Sequence, residues 1–132
     1  AADGDLELLD QFDQLIRRLG YANRSEAVRD LIRQKLVQEE WEAPDREAYA
    51  VVLLVYDHHV MSLPSRLTEL QHQQHTHVIG SFHVHVDRHN CLEIIVLRGK
   101  AKALREMADR MISLKGVKYG TLNMGTSGKR LH

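Results

Sequence analysis

The sequence predicts an α+β fold in which two N-terminal helices precede a ferredoxin-like βαββαβ domain. Apolar side chains recur at helical spacing through residues 6–36. After residue 47, β-rich runs and helical runs follow each other in the order β-α-β-β-α-β. The 132 residues are 43% hydrophobic and 27% charged, which is typical of a globular chain.

Two amphipathic helices account for the first part of the chain. Residues 6–19 place apolar side chains three and four positions apart, and Gly20 ends this pattern. Residues 21–36 repeat it, with Asn23 or Ser25 as the N-cap. Two helices of this size cannot bury both apolar stripes by themselves. We therefore expect a second copy of the chain to cover them.

A charged segment that contains Pro44 separates the two regions. The helical periodicity stops before this segment, and β-rich sequence starts after it. The sequence therefore predicts a first domain over residues 1–40, a linker over 41–47 and a second domain over 48–132.

The second domain reads as four strands and two helices. The strands are expected at 48–58, 78–86, 91–99 and 117–124, and the helices at 63–74 and 100–116. This order predicts an antiparallel sheet with both helices on one face. The other face is left for another subunit to cover.

Charge balance argues against a nucleic-acid binder when it is considered alone. The chain has 18 Lys and Arg against 18 Asp and Glu. Residues 1–46 hold seven basic and eleven acidic side chains, a net charge of −4, which leaves +4 for residues 47–132. Neither half has the basic surface that usually marks DNA or RNA binding.

Cysteine usage and hydropathy predict a cytoplasmic protein with no membrane association. The single cysteine excludes an internal disulfide, which suits a reducing compartment. No apolar run approaches the roughly 20 residues of a membrane span. The acidic start of the chain lacks the features of a signal peptide.

Histidines are concentrated around one predicted hairpin, since eight of the nine lie between residues 58 and 89. His83 and His85 share one face of a strand because strand side chains alternate. An odd number of unpaired loop residues places Cys91 opposite His85 and Glu93 opposite His83, whereas an even number sends Cys91 to the other face. We favour the odd loop. It predicts two imidazoles and a thiolate as metal ligands, with a carboxylate that orients one imidazole.

The metal and the fourth ligand stay open at this point. A lone strand histidine is usually solvated and a lone cysteine is usually buried in the core, but the two imidazoles with a thiolate suit zinc, copper or nickel. The end of the 63–74 helix offers His72 and His75. We place the ligand face on the outer side of the sheet, away from the helices. A ligand from that helix is then expected from a neighbouring subunit, and four protein ligands argue against a catalytic metal.

Five stretches together resemble the NikR family of nickel-responsive transcriptional repressors. They are GYANRSEAVRDLI (20–32), VYDHH (55–59), QHQQHTH (71–77), FHVHVDRHNCLEI (82–94) and LRG (97–99). The resemblance implies an N-terminal, dimeric ribbon-helix-helix DNA-binding domain and a C-terminal ACT-like domain. It also implies a homotetramer, built as a dimer of dimers, on double-stranded operator DNA.

The resemblance further implies a planar Ni(II) site completed across a subunit interface. Its ligands are His83, His85, Cys91 and His72 of the partner subunit. Other matched positions have supporting roles. Gln71 and Glu93 match residues that support the ligands, Tyr56 and His58 match residues that line the site, and His75 and His77 match possible alternative ligands.

Four residues in the second helix or just before it match positions that bind a second cation or DNA in the family. Glu26 and Asp30, one turn apart, match carboxylates that hold a second, hard cation at the domain junction, although a solvated helix face is an equal alternative. Asn23 and Arg24 match DNA phosphate contacts, together with backbone N–H groups. The start, AADGD, departs from the family because it lacks the β-rich alternation of the DNA-reading strand. That strand is therefore degraded or missing here.

These inferences lead to one functional hypothesis and two alternatives. The hypothesis is a non-enzymatic, cytoplasmic repressor of nickel uptake whose operator affinity rises when Ni(II) binds at the tetramer interface. The first alternative is a metal storage or delivery protein that uses the same His/Cys site. The second is an ACT-type sensor of a small molecule.

Overall fold

The computed structural model describes residues 2–60, 62–74 and 76–132. The chain forms two compact units, Ala1–Leu36 and Val37–His132. The helices are α1 (Ala2–Arg18), α2 (Arg24–Glu42), α3 (Leu63–Gln74) and α4 (Ala101–Ile112). The strands are β1 (Glu47–Asp57), β2 (His77–His85), β3 (Asn90–Lys100) and β4 (Val117–Met124). Within the described ranges, no helix combines the length and apolarity needed to cross a bilayer.

The first unit holds the two predicted helices with the predicted stop and cap. Gly20 follows α1 with a φ of 83°, a conformation that suits glycine. Asn23, rather than Ser25, caps α2, because its Oδ1 accepts a hydrogen bond from the backbone N–H of Glu26 at 3.0 Å. Most apolar side chains of the two stripes stay exposed, as expected for helices that cannot bury them alone: Leu8, Leu15, Leu19, Val28, Leu31, Ile32 and Leu36.

Helical structure extends beyond the predicted bounds at both ends of the first domain. Residues 2–5 belong to α1, and no strand precedes this helix among the described residues. Helix α2 continues to Glu42, so residues 41 and 42 of the expected linker are helical. Trp41 is buried, and its Nε1 donates a hydrogen bond to the carbonyl of Gly125 at 3.0 Å.

The second unit has the predicted ferredoxin-like arrangement, which confirms the α+β class. Its sheet has the order β2-β3-β1-β4, and every neighbouring pair is antiparallel. Helices α3 and α4 pack on one face. Their buried side chains join those of β1 and β3 in one core: Leu63, Leu67, Leu70, Leu104, Met107, Met111, Val52, Leu54, Ile95 and Leu97.

The hairpin ligands lie on the helix-covered face of the sheet, so their expected placement on the outer face is wrong. Cys91 is 0% exposed and belongs to the same core as Leu54 and Ile95. The opposite face carries alternate side chains such as Phe82, which is 64% exposed. Strand β3 is apolar on both faces around these positions, so alternation alone does not tell which face the helices cover.

Candidate metal centre

The β2–β3 hairpin brings the candidate ligands together in the predicted register. His83 pairs with Glu93 and His85 with Cys91. Five residues, 86–90, separate the last pair, which confirms the prediction of an odd loop. Directly paired side chains lie on one side of a sheet, with Cβ atoms about 5 Å apart. Two imidazoles, a thiol and a carboxylate therefore project from the same side of the hairpin.

The loop of this hairpin is fixed by one aspartate. The Oδ1 atom of Asp87 accepts hydrogen bonds from the backbone N–H groups of His89 and Asn90, both at 2.9 Å. The side-chain amide of Asn90 donates to both carboxylate oxygens, at 3.1 and 3.0 Å. These donors, with the Asn90 side chain as the largest contributor, lower the pKa of Asp87 to about 2. The carboxylate that shapes the loop is thus charged at neutral pH.

A sulfur and a nitrogen atom are close enough to share one metal ion. Cys91 Sγ lies 3.7 Å from His85 Nδ1. Metal–sulfur and metal–nitrogen bonds of about 2.3 and 2.1 Å allow two ligand atoms to be up to roughly 4.4 Å apart. Burial raises the pKa of the Cys91 thiol, and the nearby charges of Glu93, Asp87 and Asp57 raise it further. Without a cation, the thiol is therefore held in its protonated form.

The second imidazole is oriented by a buried carboxylate. His83 Nδ1 lies 2.7 Å from Glu93 Oε1, and the Tyr56 hydroxyl donates to the same oxygen at 3.1 Å. Glu93 is only 5% exposed and Tyr56 3%. When Nδ1–H of a neutral His83 donates to this carboxylate, its Nε2 keeps a free lone pair. Burial, followed by the charge of Glu93, raises the pKa of Tyr56, so its hydroxyl remains a donor.

His58 comes closer to the centre than the sequence suggests. Ligand atoms of His58, His85 and Cys91 all lie within 4.8 Å of one another. The Nε2 atom of His58 lies 2.6 Å from the backbone carbonyl of Arg88. Donation from Nε2–H to this carbonyl leaves Nδ1 as the basic nitrogen. The resemblance implies only a lining role for His58, and the approach of His58 to the hairpin depends on the pairing of β1 with β3.

His72 lies at the other end of strand β2 from these residues. It lines a cavity of about 450 Å³ together with Gln71 and His77. His77 begins β2, and His83 follows it by six residues. At about 3.3 Å per residue these two positions are about 20 Å apart, far beyond the reach of an imidazole. His75, the other candidate of this segment, lies outside the described residues.

Two candidate residues of the first unit, Arg24 and Asp30, already have partners within it. Arg24 donates two hydrogen bonds to Asp13, each at 2.7 Å, and this pairing lowers the pKa of Asp13 and raises that of Arg24. Asp30 accepts a hydrogen bond from the Tyr21 hydroxyl, which raises the pKa of Tyr21, and lies 3.8 Å from Arg33. The side chain of Glu26, in the first turn of α2, is exposed.

A large part of this chain shares its fold with a solved structure of very different sequence. The C-terminal domain of the MgtC protein from Mycobacterium tuberculosis superposes with a TM-score of 0.51 at 9% identity. The match covers 63% of this chain and 93% of that domain. At this identity the likeness concerns the fold alone.

Family models match both parts of the chain. Residues 5–39 match the ribbon-helix-helix proteins of the copG family. Residues 49–125, which include the whole hairpin, match the NikR C-terminal nickel-binding domain.

Curated relatives match over nearly the whole length and carry the name "Putative nickel-responsive regulator". One from Geobacter sulfurreducens is 55% identical over 97% of this chain and 92% of its own. One from Nitratidesulfovibrio vulgaris is 54% identical over 96% and 91%, respectively. One from Thermococcus kodakarensis is 50% identical over 95% and 91%.

These matches confirm the resemblance read from the five sequence stretches. They also confirm Ni(II) as the metal and a regulator, not an enzyme, as the type of protein. The donor set fits this metal, since a thiolate with imidazoles suits nickel. The chain belongs to the NikR family, in which a ribbon-helix-helix DNA-binding domain is joined to a C-terminal nickel-binding domain.

Proposed function

We propose that this protein is a cytoplasmic, nickel-sensing repressor of nickel uptake. It acts as a homotetramer on double-stranded operator DNA, and Ni(II) raises its operator affinity. The observation that carries this proposal is the convergence of His85 Nδ1 and Cys91 Sγ, 3.7 Å apart, beside a histidine held by a buried carboxylate. The proposed ligands are His83, His85, Cys91 and His72 of the partner subunit.

The length of strand β2 supports a ligand from the partner subunit. The chain's own His72 lies beside His77, about 20 Å from His83 along the strand. If His72 is a ligand of the hairpin site, it must therefore come from another copy; His58 of the same chain, with a ligand atom within 4.8 Å of those of His85 and Cys91, is the other histidine near the site. The binding affinity of a metal with ligands from two copies depends on how those copies are placed relative to each other. Metal binding can therefore change the arrangement of the tetramer as well as stabilise the hairpin.

The DNA-binding role rests on the first unit as a dimer. The exposed apolar stripes of α1 and α2 include Leu15, Leu31 and Ile32, which are 39%, 54% and 54% exposed. A second copy of the unit would bury them at roughly 25 cal/mol for each Å² of apolar surface. Asn23 and Arg24 then lie at the N-terminus of α2, where backbone N–H groups favour phosphate oxygens.

Nickel would control DNA binding by stabilising one arrangement of the tetramer. An ion with ligands from two copies binds better to the arrangement that brings those ligands together. If the same arrangement places two dimeric DNA-binding units on both half-sites, nickel and operator DNA each tighten the binding of the other. Thermodynamic linkage requires the two effects to be equal, typically 5- to 150-fold.

Operator affinity with and without nickel tests this function. The DNA probe is the segment upstream of a nickel-transport operon in the source genome, with a shuffled duplex as the control. We expect Ni(II) to tighten binding of the probe and not of the shuffled duplex. The Cys91→Ala variant should bind the probe equally with and without nickel. Tight nickel binding with no change in operator affinity would overturn the repressor and leave the storage or delivery alternative.

A further inference from the structure

A second group of metal-ligand side chains lies where strand β1 ends beside the hairpin loop. Ligand atoms of Asp57, His59 and His89 all lie within 4.8 Å of one another. Metal–nitrogen and metal–oxygen bonds of about 2.0–2.2 Å allow roughly 4.3 Å between two ligand atoms, so small side-chain rotations bring the three onto one ion. His59 and His89 are exposed, and Asp57 is half-buried. The proposed nickel site uses none of the three.

Backbone hydrogen bonds hold the first two residues in place. The N–H of Asp57 donates to the carbonyl of Gly116 at 2.9 Å. The N–H of His59 donates to Asp57 Oδ1 at 2.9 Å, and that of Val60 donates to the Asp57 carbonyl at 3.1 Å. These bonds form a tight turn that presents an aspartate and a histidine two positions apart. A metal would therefore meet a turn whose backbone is already ordered.

His89, the third residue of the group, is held by the loop between β2 and β3. Asp87 fixes the N–H of His89, and the His89 carbonyl accepts the N–H of His58 at 3.1 Å. This last bond ties the end of β1 to the hairpin loop. The rings of His59 and His89 face each other edge-on, with their centroids 5.5 Å apart. The backbone thus brings side chains from the two loops together.

The contacts of His59 also set its basic nitrogen. Its Nε2 lies 3.1 Å from the Arg88 carbonyl, which also contacts His58 Nε2. In the neutral ring, donation from Nε2–H to a carbonyl leaves the lone pair on Nδ1, and metal-bound histidines commonly show this second hydrogen bond. One carbonyl oxygen can accept both donors, because it has two lone pairs. It therefore orients one imidazole of each group.

We propose that Asp57, His59 and His89 form a second, solvent-exposed metal site for a divalent late transition metal such as Ni(II). Two imidazoles and a carboxylate would bind the ion, and water would complete its coordination. The site is separate from the thiolate centre. Asp57 follows Tyr56 in a strand, so its side chain leaves on the opposite face from Tyr56 and Cys91. Because it has no thiolate and is exposed, it should bind nickel more weakly than the thiolate centre.

Equilibrium dialysis of the full chain against Ni(II) tests the second site. We expect two nickel ions per chain, the weaker one bound without a thiolate charge-transfer band. His89→Ala and Asp57→Asn should each weaken the second ion by at least about tenfold, and both should keep the thiolate charge-transfer band. The matched controls His132→Ala and Asp109→Asn should bind nickel as the unchanged protein does. Asp57→Asn leaves the side-chain volume almost unchanged. Far-UV circular dichroism checks that each variant folds.

Two outcomes would overturn the second site. The first is unchanged nickel binding by both His89→Ala and Asp57→Asn. The second is an equal loss in the two control variants, which would indicate binding by any exposed histidine or carboxylate. The thiolate band separates this proposal from the proposed function. Loss of that band in Cys91→Ala with the weak ion retained supports the second site, whatever the fate of the repressor hypothesis.

Discussion

His85 and Cys91 face each other across strands β2 and β3, with the imidazole Nδ1 3.7 Å from the thiol Sγ. The two residues are directly paired in the sheet, so the backbone fixes the distance between their Cβ atoms. A buried carboxylate, Glu93, holds the next histidine along the strand. The hairpin thus supplies a set of nitrogen and sulfur donors in fixed register, and a further ligand would complete the coordination of the metal.

Glu93→Gln should weaken nickel binding by about 10- to 100-fold without removing a ligand. The neutral amide cannot stabilise the Nδ1–H of His83 as the carboxylate does, so the imidazole becomes less basic and less well oriented. The measurement is nickel affinity by competition with a chelator. Glu39→Gln, on an exposed position of α2, is the matched control and should not change the affinity. Equal affinities for Glu93→Gln and the unchanged protein would contradict the role of this contact.

Nickel affinity should rise with pH, because the thiol must lose its proton to bind the metal. Burial raises the pKa of Cys91, so the thiol is protonated at neutral pH in the absence of metal. Each proton released makes the apparent affinity rise by about tenfold per pH unit below that pKa. Isothermal titration calorimetry in buffers of different ionisation enthalpy measures the protons released. Between about pH 7.5 and 8.5, above the ordinary range of histidine, the Cys91→Ala variant should show almost no slope. A flat profile in the unchanged protein would contradict this.

Subunit mixing should show that His72 acts on the partner's hairpin. His72→Ala and Cys91→Ala each lack one ligand at every site. In a randomly mixed tetramer, about a quarter of the sites would combine an intact hairpin with an intact His72 from the partner subunit. Nickel retained against a chelator should therefore be restored in part by mixing the two variants. No recovery, with mixed tetramers shown by native mass spectrometry, would mean that His72 does not complete the partner's site.

Arg24 should contribute to DNA binding without reading sequence, once it is released from Asp13. Arg24→Ala should weaken binding to any duplex and reduce the salt slope of log affinity by about 1. Asp13→Asn should strengthen binding, since the carboxylate competes with phosphate for the same guanidinium. Fluorescence anisotropy across a range of KCl concentrations measures both effects, with Arg66→Ala of α3 as the control. Weaker DNA binding by Asp13→Asn would show that the ion pair positions Arg24 for DNA.

The arrangement of the hairpin was predictable because it depends on local rules. Alternation along a strand places His83 and His85 on one face, and loop parity then fixes where Cys91 points. The bounds of α3, residues 63–74, match the prediction, because Leu63, Leu67 and Leu70 recur at helical spacing. Both features need only neighbours in sequence.

Other features depend on contacts between distant segments. The helix-covered face of β3 could not be identified, because Leu92 and Ile94 are as apolar as the residues of the opposite face. The burial of Trp41 against Gly125 joins positions 84 residues apart. The approach of His58 to the hairpin requires the pairing of β1 with β3. Sequence periodicity carries no record of such long-range pairings.

The absorption spectrum of the protein on addition of Ni(II) tests the central claim most directly. One equivalent added to the full chain should produce a thiolate-to-nickel charge-transfer band and ligand-field features of planar coordination. Cys91→Ser should lose the charge-transfer band while it keeps its fold. A spectrum like that of octahedral aqueous nickel in the unchanged protein, or the same band in Cys91→Ser, would contradict a nickel site built on this hairpin.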